Sequence, residues 1–144
     1  MTILITPEFH LRVTGLIMLW LVGMNFLLPR RLNWGTELAR LSLLNRQIFH
    51  VHAGFICVTV TMFAALTLLL TPALLEPTAL ARAVLGGIGL FWMLRLFAQL
   101  FVYDASLWRG NRTRTALHIL FSGLWIYFVA TFAYALYHNL GAHG

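Results

Sequence analysis

Four long apolar stretches dominate the order of polar and apolar residues, at residues 11–28, 47–70, 78–103 and 115–137. Each comes close to the roughly 20 apolar residues that an α-helix needs to cross a bilayer. Little polar sequence lies between them. The pattern predicts an all-α fold, a transmembrane four-helix bundle formed by a single domain over residues 1–144.

The connection between the first two stretches has a helical pattern of its own. Trp34, Leu38 and Leu41 recur at helical spacing, whereas Glu37 and Arg40 lie on other faces. Amphipathic helices of this kind lie in the membrane interface. We therefore expect a short interfacial helix between spans one and two.

Composition excludes a soluble protein, because 60% of the residues are apolar and only 10% are charged, against about a quarter charged in soluble domains. The net charge of +6 arises from arginines, without any lysine. Most of them lie in two connections, at Arg30, Arg31, Arg40, Arg46, Arg109, Arg112 and Arg114. The positive-inside rule then predicts cytoplasmic connections and periplasmic termini in a bacterial inner membrane. Since the charge is a topology signal, nucleic-acid binding is not expected.

Each span contributes one polar side chain at a similar depth from the basic ends. These residues are Asn25, His50, Gln99 and His118. Polar groups in hydrocarbon are costly, so they normally face the bundle interior or a cavity. His52 lies on another face of its helix than His50, and we expect His50 to be the inward one. The pattern predicts a polar pocket near the cytoplasmic face.

Helical spacing adds neighbours to this layer on spans three and four. One stripe contains Trp92, Arg95, Gln99 and Tyr103, and the other contains Thr115, His118, Ser122 and Trp125. No span contains a carboxylate that could pair with Arg95. An unpaired guanidinium in a membrane seeks carbonyl groups, water, a lipid phosphate or an anionic ligand.

A redox cofactor in or beside an electron-transfer system is the leading functional hypothesis. A b-type haem would be ligated by His50 and His118 from different helices, with Arg95 pairing a propionate. A quinone would instead accept hydrogen bonds from a histidine and from Gln99 or Tyr103.

Two other classes stay open. In the first, the chain is a non-catalytic accessory or assembly subunit of a larger membrane complex. Its small-residue stripe, Ala79, Ala83 and Gly87, and its interfacial helix would dock on the larger assembly. Small residues let helices approach closely, and within the chain we expect this stripe to pack inside the bundle. In the second, His50 and His118 are metal ligands of a metal-dependent membrane enzyme or metal-handling protein. The simplest reading is that both histidines only join neighbouring helices.

Three sequence features carry a resemblance to known proteins. They are the run Arg-Gln-Ile-Phe-His-Val-His at 46–52, the run Phe-Trp-Met-Leu-Arg-Leu at 91–96, and the pair Tyr103-Asp104. They resemble small uncharacterised bacterial four-helix integral membrane proteins, and this resemblance carries no function with it. Haem ligation by histidines from several spans would also be similar to that in cytochrome b proteins. The paired-histidine spacing of the two-haem families is absent from this sequence.

Overall fold

The computed structural model describes residues 6–31, 34–104, 110 and 112–141. These residues form helices without any strand, which confirms the all-α class. The helices are α1 (Pro7–Arg31), α2 (Trp34–Leu38), α3 (Leu43–Leu69), α4 (Thr71–Leu75), α5 (Ala79–Phe97), which continues as a π-helix (Ala98–Val102), and α6 (Arg112–Gly141).

Four of these helices are long and apolar enough to cross a membrane, over Pro7–Leu27, Leu43–Leu69, Ala79–Val102 and Arg112–Gly141. Their outer surfaces carry large apolar side chains such as Phe55, Leu80 and Phe101, which are 70%, 74% and 73% exposed. Apolar exposure of this extent suits lipid and not water. The chain is an integral membrane protein in contact with the bilayer.

Helix α1 is longer at both ends than its predicted span. Pro7 occupies the first helical position, and Thr6 Oγ1 accepts a hydrogen bond from the Phe9 N–H at 3.3 Å. Such a cap starts the helix before the apolar run begins. Helix α6 likewise begins at Arg112 and ends at Gly141. Hydropathy marks the apolar part of a helix, whereas the helix itself continues into polar sequence.

A short helix lies in the first connection, as expected, but it is shorter than the sequence pattern. Helix α2 ends at Leu38, so Leu41 lies outside it. The next helix already begins at Leu43, because Ser42 Oγ accepts a hydrogen bond from the Asn45 N–H at 3.3 Å. This cap interrupts the continuous helical pattern.

The chain divides into two compact units. The N-terminal unit is Arg12–Leu70, and the C-terminal unit is Met1–Leu11 together with Thr71–Gly144. The expectation of a single domain stays a prediction.

In the C-terminal unit, α5 packs against α6 through an aromatic core. The rings of Trp92 and Trp125 stack with centroids 5.0 Å apart, and Phe128 meets Trp92 edge-on at 4.6 Å. A Cβ atom added at Gly89 would lie 3.3 Å from Phe132 Cβ, so the two backbones approach closely there. This packing fixes which faces of α5 and α6 meet.

The expectation for the small-residue stripe is wrong. Ala79, Ala83 and Gly87 are exposed, and the face of α5 that is buried carries Leu85 and Trp92. The stripe lies on another face of α5 than the residues that are buried, because the ring of Trp92 stacks on Trp125 of α6.

A fully buried amide stands at the opposite end of the same unit. Asn139 Nδ2 donates to the main-chain oxygens of Leu74, at 3.2 Å, and of Glu76, and its Oδ1 accepts from Arg82 Nε at 3.0 Å. These bonds join α4 and the start of α5 to α6. They satisfy main-chain carbonyl groups that a helix end leaves unpaired.

The N-terminal unit is packed differently, through a close approach of α1 and α3. A Cβ atom added at Gly15 would lie 2.6 Å from Thr67 Oγ1 and 2.7 Å from Leu68 Cγ. Thr67 is fully buried, and its hydroxyl donates to the main-chain oxygens of Phe63 and Ala64 at 3.0 Å. Small residues commonly allow such contacts between membrane helices.

Candidate functional site

A hydrogen-bond network of polar side chains connects α5 and its π-helical end to α6 in the C-terminal unit. Arg95 Nη1 donates to Gln99 Oε1 at 3.4 Å, and Gln99 Nε2 lies 2.9 Å from His118 Nδ1. Gln99 is only 5% exposed, while Arg95 and His118 are half-buried. The structure therefore brings together three of the predicted site residues.

The order of donors and acceptors in this network determines the tautomer of His118. A guanidinium has only N–H donors, so the Gln99 atom that faces Arg95 is the carbonyl oxygen. The amide nitrogen of Gln99 then faces His118 and donates to its Nδ1. In the neutral imidazole, Nδ1 is the acceptor and the proton resides on Nε2.

Arg95 also lies over two aromatic rings. Its Cζ atom is 5.6 Å from the ring centroid of Tyr103 and 5.3 Å from that of Trp125. Within the described ranges, Arg95 has no carboxylate partner. Cation–π contacts of this kind stabilise a guanidinium without neutralising its charge.

Gln99 lies in a π-helix, which the helical spacing of the sequence does not predict. The Tyr103 N–H bonds to the main-chain oxygen of Ala98 at 3.3 Å, five residues back. Turns of this type are rare and are often found at functional sites. The predicted stripe through Arg95 and Gln99 follows regular α-helical spacing, and residue propensities give no signal for a π turn.

Three buried polar atoms next to this network have no hydrogen-bond partner among the described residues. They are Trp92 Nε1, Trp125 Nε1 and Ser122 Oγ. The two tryptophans are 3% and 6% exposed. We call Trp92, Arg95, Gln99, His118, Ser122 and Trp125 the donor cluster. Helical spacing places Trp92 in the stripe of Arg95 and Trp125 in the stripe of His118, but it does not show whether an indole N–H finds a partner.

The N-terminal unit contains a cavity of about 390 Å³. Its lining includes Asn25, Phe26, Phe49, His50, Gly54 and Cys57. The predicted site residues Asn25 and His50 thus line one apolar cavity, which we call the His50 cavity. His52 is not among the residues that line it.

The tautomer of His50 is opposite to that of His118. His50 Nδ1 lies 2.7 Å from the main-chain oxygen of Arg46, one turn back. A carbonyl oxygen only accepts, so Nδ1 carries the proton and Nε2 keeps its lone pair. His52 makes the same bond to Ile48 at 3.0 Å. Both imidazoles are therefore prepared as acceptors or metal ligands at Nε2.

The predicted site residues are distributed over both units. Asn25 and His50 belong to the N-terminal unit, while the C-terminal unit contains Arg95, Gln99, Tyr103 and His118. The joint pocket with both histidines stays a prediction, as does their metal role. Across the described part of the chain, no group of three or more His, Cys, Asp or Glu residues could hold a metal ion.

Comparisons with protein-family models, with curated proteins and with solved structures find no match for this chain. The geometry of the donor cluster and of the His50 cavity is therefore the basis for assigning a function.

Proposed function

We propose that this membrane protein binds a quinone-type redox cofactor at the donor cluster, in or beside an electron-transfer system. The observation that carries the proposal is the set of buried, unpartnered donors at Trp92, Trp125 and Ser122 beside Arg95. A ligand for this cluster must supply acceptor oxygens. The two carbonyl oxygens of a quinone do so, and its ring suits aromatic surroundings.

The unpaired indole N–H groups destabilise the protein unless water or a ligand satisfies them, because a buried N–H group without a partner costs about 1–3 kcal/mol. Ordered water is one means of satisfying these groups, and a bound carbonyl oxygen is another. Only the second makes affinity for a quinone depend on the indole N–H groups, so removal of one N–H distinguishes the two.

The tautomer of His118 favours quinone over haem at this cluster. A haem-ligating histidine presents the lone pair of one nitrogen to iron and donates from the other. His118 accepts at Nδ1 from Gln99, so its Nε2 is a hydrogen-bond donor. With a hydrogen bond accepted at Nδ1 and a proton on Nε2, neither nitrogen of His118 presents a lone pair to iron.

The position of the cluster suits a lipid-soluble ligand. Arg95 is half-buried and lies beside the exposed ring of Tyr103, so this side of the donor cluster reaches the surface of its unit. Phe101 and Val102, next to Tyr103, are exposed apolar residues. The basic start of α6, with Arg112 and Arg114, favours a cytoplasmic location under the positive-inside rule, with periplasmic termini in a bacterial inner membrane.

The experiment is a titration of the purified protein with a short-chain benzoquinone in detergent micelles, followed by quantification of retained quinone. Trp92→Phe keeps an aromatic ring and removes the unpartnered N–H. We expect it to weaken binding about tenfold, the effect of roughly 1.4 kcal/mol. Trp20→Phe is the matched control, because Trp20 is 54% exposed and lies on α1, outside the donor cluster.

Two results would reject the proposal. The first is no saturable quinone binding to the wild-type protein, which would leave ordered water as the partner of the cluster. The second is the same affinity for Trp92→Phe and Trp20→Phe, which would mean that the quinone dissolves in the micelle or binds elsewhere.

The exposed small-residue stripe favours a second candidate, an accessory subunit that docks on another membrane protein or on its own copy. Ala83 and Gly87 are exposed on α5, and in the part of the chain that the structure describes no atom lies within 4 Å of a Cβ atom added at Gly87. Small residues let a partner helix approach. If the stripe is an interface, Gly87→Leu should dissociate a complex that survives mild detergent, while Gly23→Leu on α1 should not.

A further inference from the structure

We infer that the His50 cavity is a haem site in which His50 Nε2 ligates the iron. The inference is independent of the quinone proposal, because it concerns residues of the N-terminal unit alone. It rests on four features of that unit: a prepared ligand nitrogen, an apolar cavity, a glycine that leaves space, and a nearby arginine.

The first feature is the orientation of the imidazole. The 2.7 Å bond from His50 Nδ1 to the Arg46 oxygen fixes the proton on Nδ1. Histidines that ligate metals typically donate their second nitrogen to a carbonyl or carboxylate group, which sets the tautomer and ring direction. His50 Nε2 makes no hydrogen bond within the described residues, so its lone pair is available.

The second feature is the cavity that this imidazole lines. Its volume of about 390 Å³ lies within the roughly 300–1,000 Å³ of small-molecule sites. Phe26 and Phe49, which are 69% and 39% exposed, contribute to its walls, so a flat apolar ligand could enter from the surface of the unit. Phe49 meets the His50 ring edge-on, with centroids 5.9 Å apart.

The third feature is the space next to the ligand. Gly54 follows His50 by one helical turn and also lines the cavity. No atom of the described residues lies within 4 Å of a Cβ atom added at this position. A flat ligand can therefore lie against the backbone of α3 beside the histidine.

The fourth feature is charge. Arg46 precedes His50 by one turn and is half-buried. The two propionates of a haem are anionic and pair readily with guanidinium groups. Arg46 does not line the cavity itself, but it would supply a cation for a propionate one helical turn from His50.

The test is a spectroscopic titration of the detergent-solubilised full chain with ferric haem. We expect saturable binding of one haem, with a shifted Soret band. His50→Ala should weaken it by more than the roughly 10–100-fold that loss of an outer-shell partner costs. His52→Ala is the matched control, since it makes the same main-chain bond two residues away but does not line the cavity.

Two further variants distinguish ligation from a folding defect. Gly54→Leu keeps His50 and fills the cavity, and it should also abolish saturable binding. His50→Gly should lose the shifted band and recover it when free imidazole is added. The inference fails if haem binds equally well to His50→Ala, if His52→Ala causes the same loss, or if Gly54→Leu binds haem as the wild type does.

Discussion

His118 and His50 are the same residue type, and both lie about one turn from the basic end of a span, yet the two units prepare them for opposite chemistry. A side-chain amide donates to Nδ1 of His118, whereas a main-chain oxygen accepts from Nδ1 of His50. The first histidine becomes a donor at Nε2, and the second presents a lone pair there. The identity of the partner, and not of the residue, determines what each imidazole can bind.

The two units also differ in how their helices are held together. Stacked tryptophans and buried phenylalanines join α5 to α6. In the N-terminal unit, α1 and α3 approach at Gly15, where the neighbouring atoms leave no room for a side chain. One unit depends on large rings that fill space, and the other depends on the absence of a side chain.

The largest expected effect tests the aromatic core. Phe128→Ala removes a ring that is 0% exposed and contacts Trp92 at 4.6 Å. We expect it to lower the free energy of unfolding by up to about 3–5 kcal/mol, the range for buried Phe→Ala in soluble cores. Thermal unfolding in detergent measures this, with near-ultraviolet circular dichroism reporting the tryptophan stack.

Phe55→Ala in the N-terminal unit is the control for that variant. Phe55 is 70% exposed on α3, so its removal should change the unfolding free energy very little. Equal losses for the two variants would contradict the proposed difference in packing.

The second prediction concerns the glycine contact of the N-terminal unit. Gly15→Ala forces a Cβ atom to within 2.6 Å of Thr67 Oγ1, and overpacking of this kind costs about 1–3 kcal/mol. Gly89→Ala should cost less, since its Cβ atom would lie 3.3 Å from Phe132 Cβ. Gly23→Ala has open space and should stabilise the helix by about 0.5–1 kcal/mol. A different rank order of the three midpoints of thermal unfolding would argue against the close approach.

The third prediction is that a substitution at Gln99 reverses the tautomer of His118. Gln99→Glu replaces the amide donor by an acceptor oxygen, so His118 Nδ1 should become protonated like that of His50. The expected stability change is about 1 kcal/mol, the net worth of one hydrogen bond. Nitrogen-15 NMR of labelled histidine separates the two tautomers, and the His50 and His52 signals serve as internal standards. An unchanged His118 signal would show that Gln99 does not determine its proton.

The smallest effects compare the caps of the two units. Thr78 Oγ1 accepts from the Ala81 N–H at 3.1 Å in a half-buried bond, whereas Ser42 Oγ accepts from the Asn45 N–H at 3.3 Å in an exposed one. Loss of an N-cap typically costs about 1 kcal/mol. We expect Thr78→Ala to lower the unfolding midpoint more than Ser42→Ala, and the reverse order would mean that water replaces the Thr78 cap.

Part of the candidate site followed from helical spacing. Arg95 and Gln99 lie one turn apart, and the contact of both stripes through Gln99 and His118 agrees with the expected shared face of spans three and four. The unpartnered indole nitrogens did not follow, because an isolated tryptophan in an apolar span gives no sign of whether its N–H finds an acceptor. The placement of the small-residue stripe was wrong, because the stacking of Trp92 on Trp125 turns another face of α5 toward α6.

The sequence by itself determined the class and the number of the spans, because hydrocarbon thickness and the need to satisfy every main-chain group leave few solutions for so apolar a chain. It also determined which polar residues share a helical face. Only the tertiary structure decided the partner of each imidazole, the π turn at Gln99 and the unpaired donors of Trp92 and Trp125. These depend on distances of a few ångströms between helices, which helical periodicity does not contain.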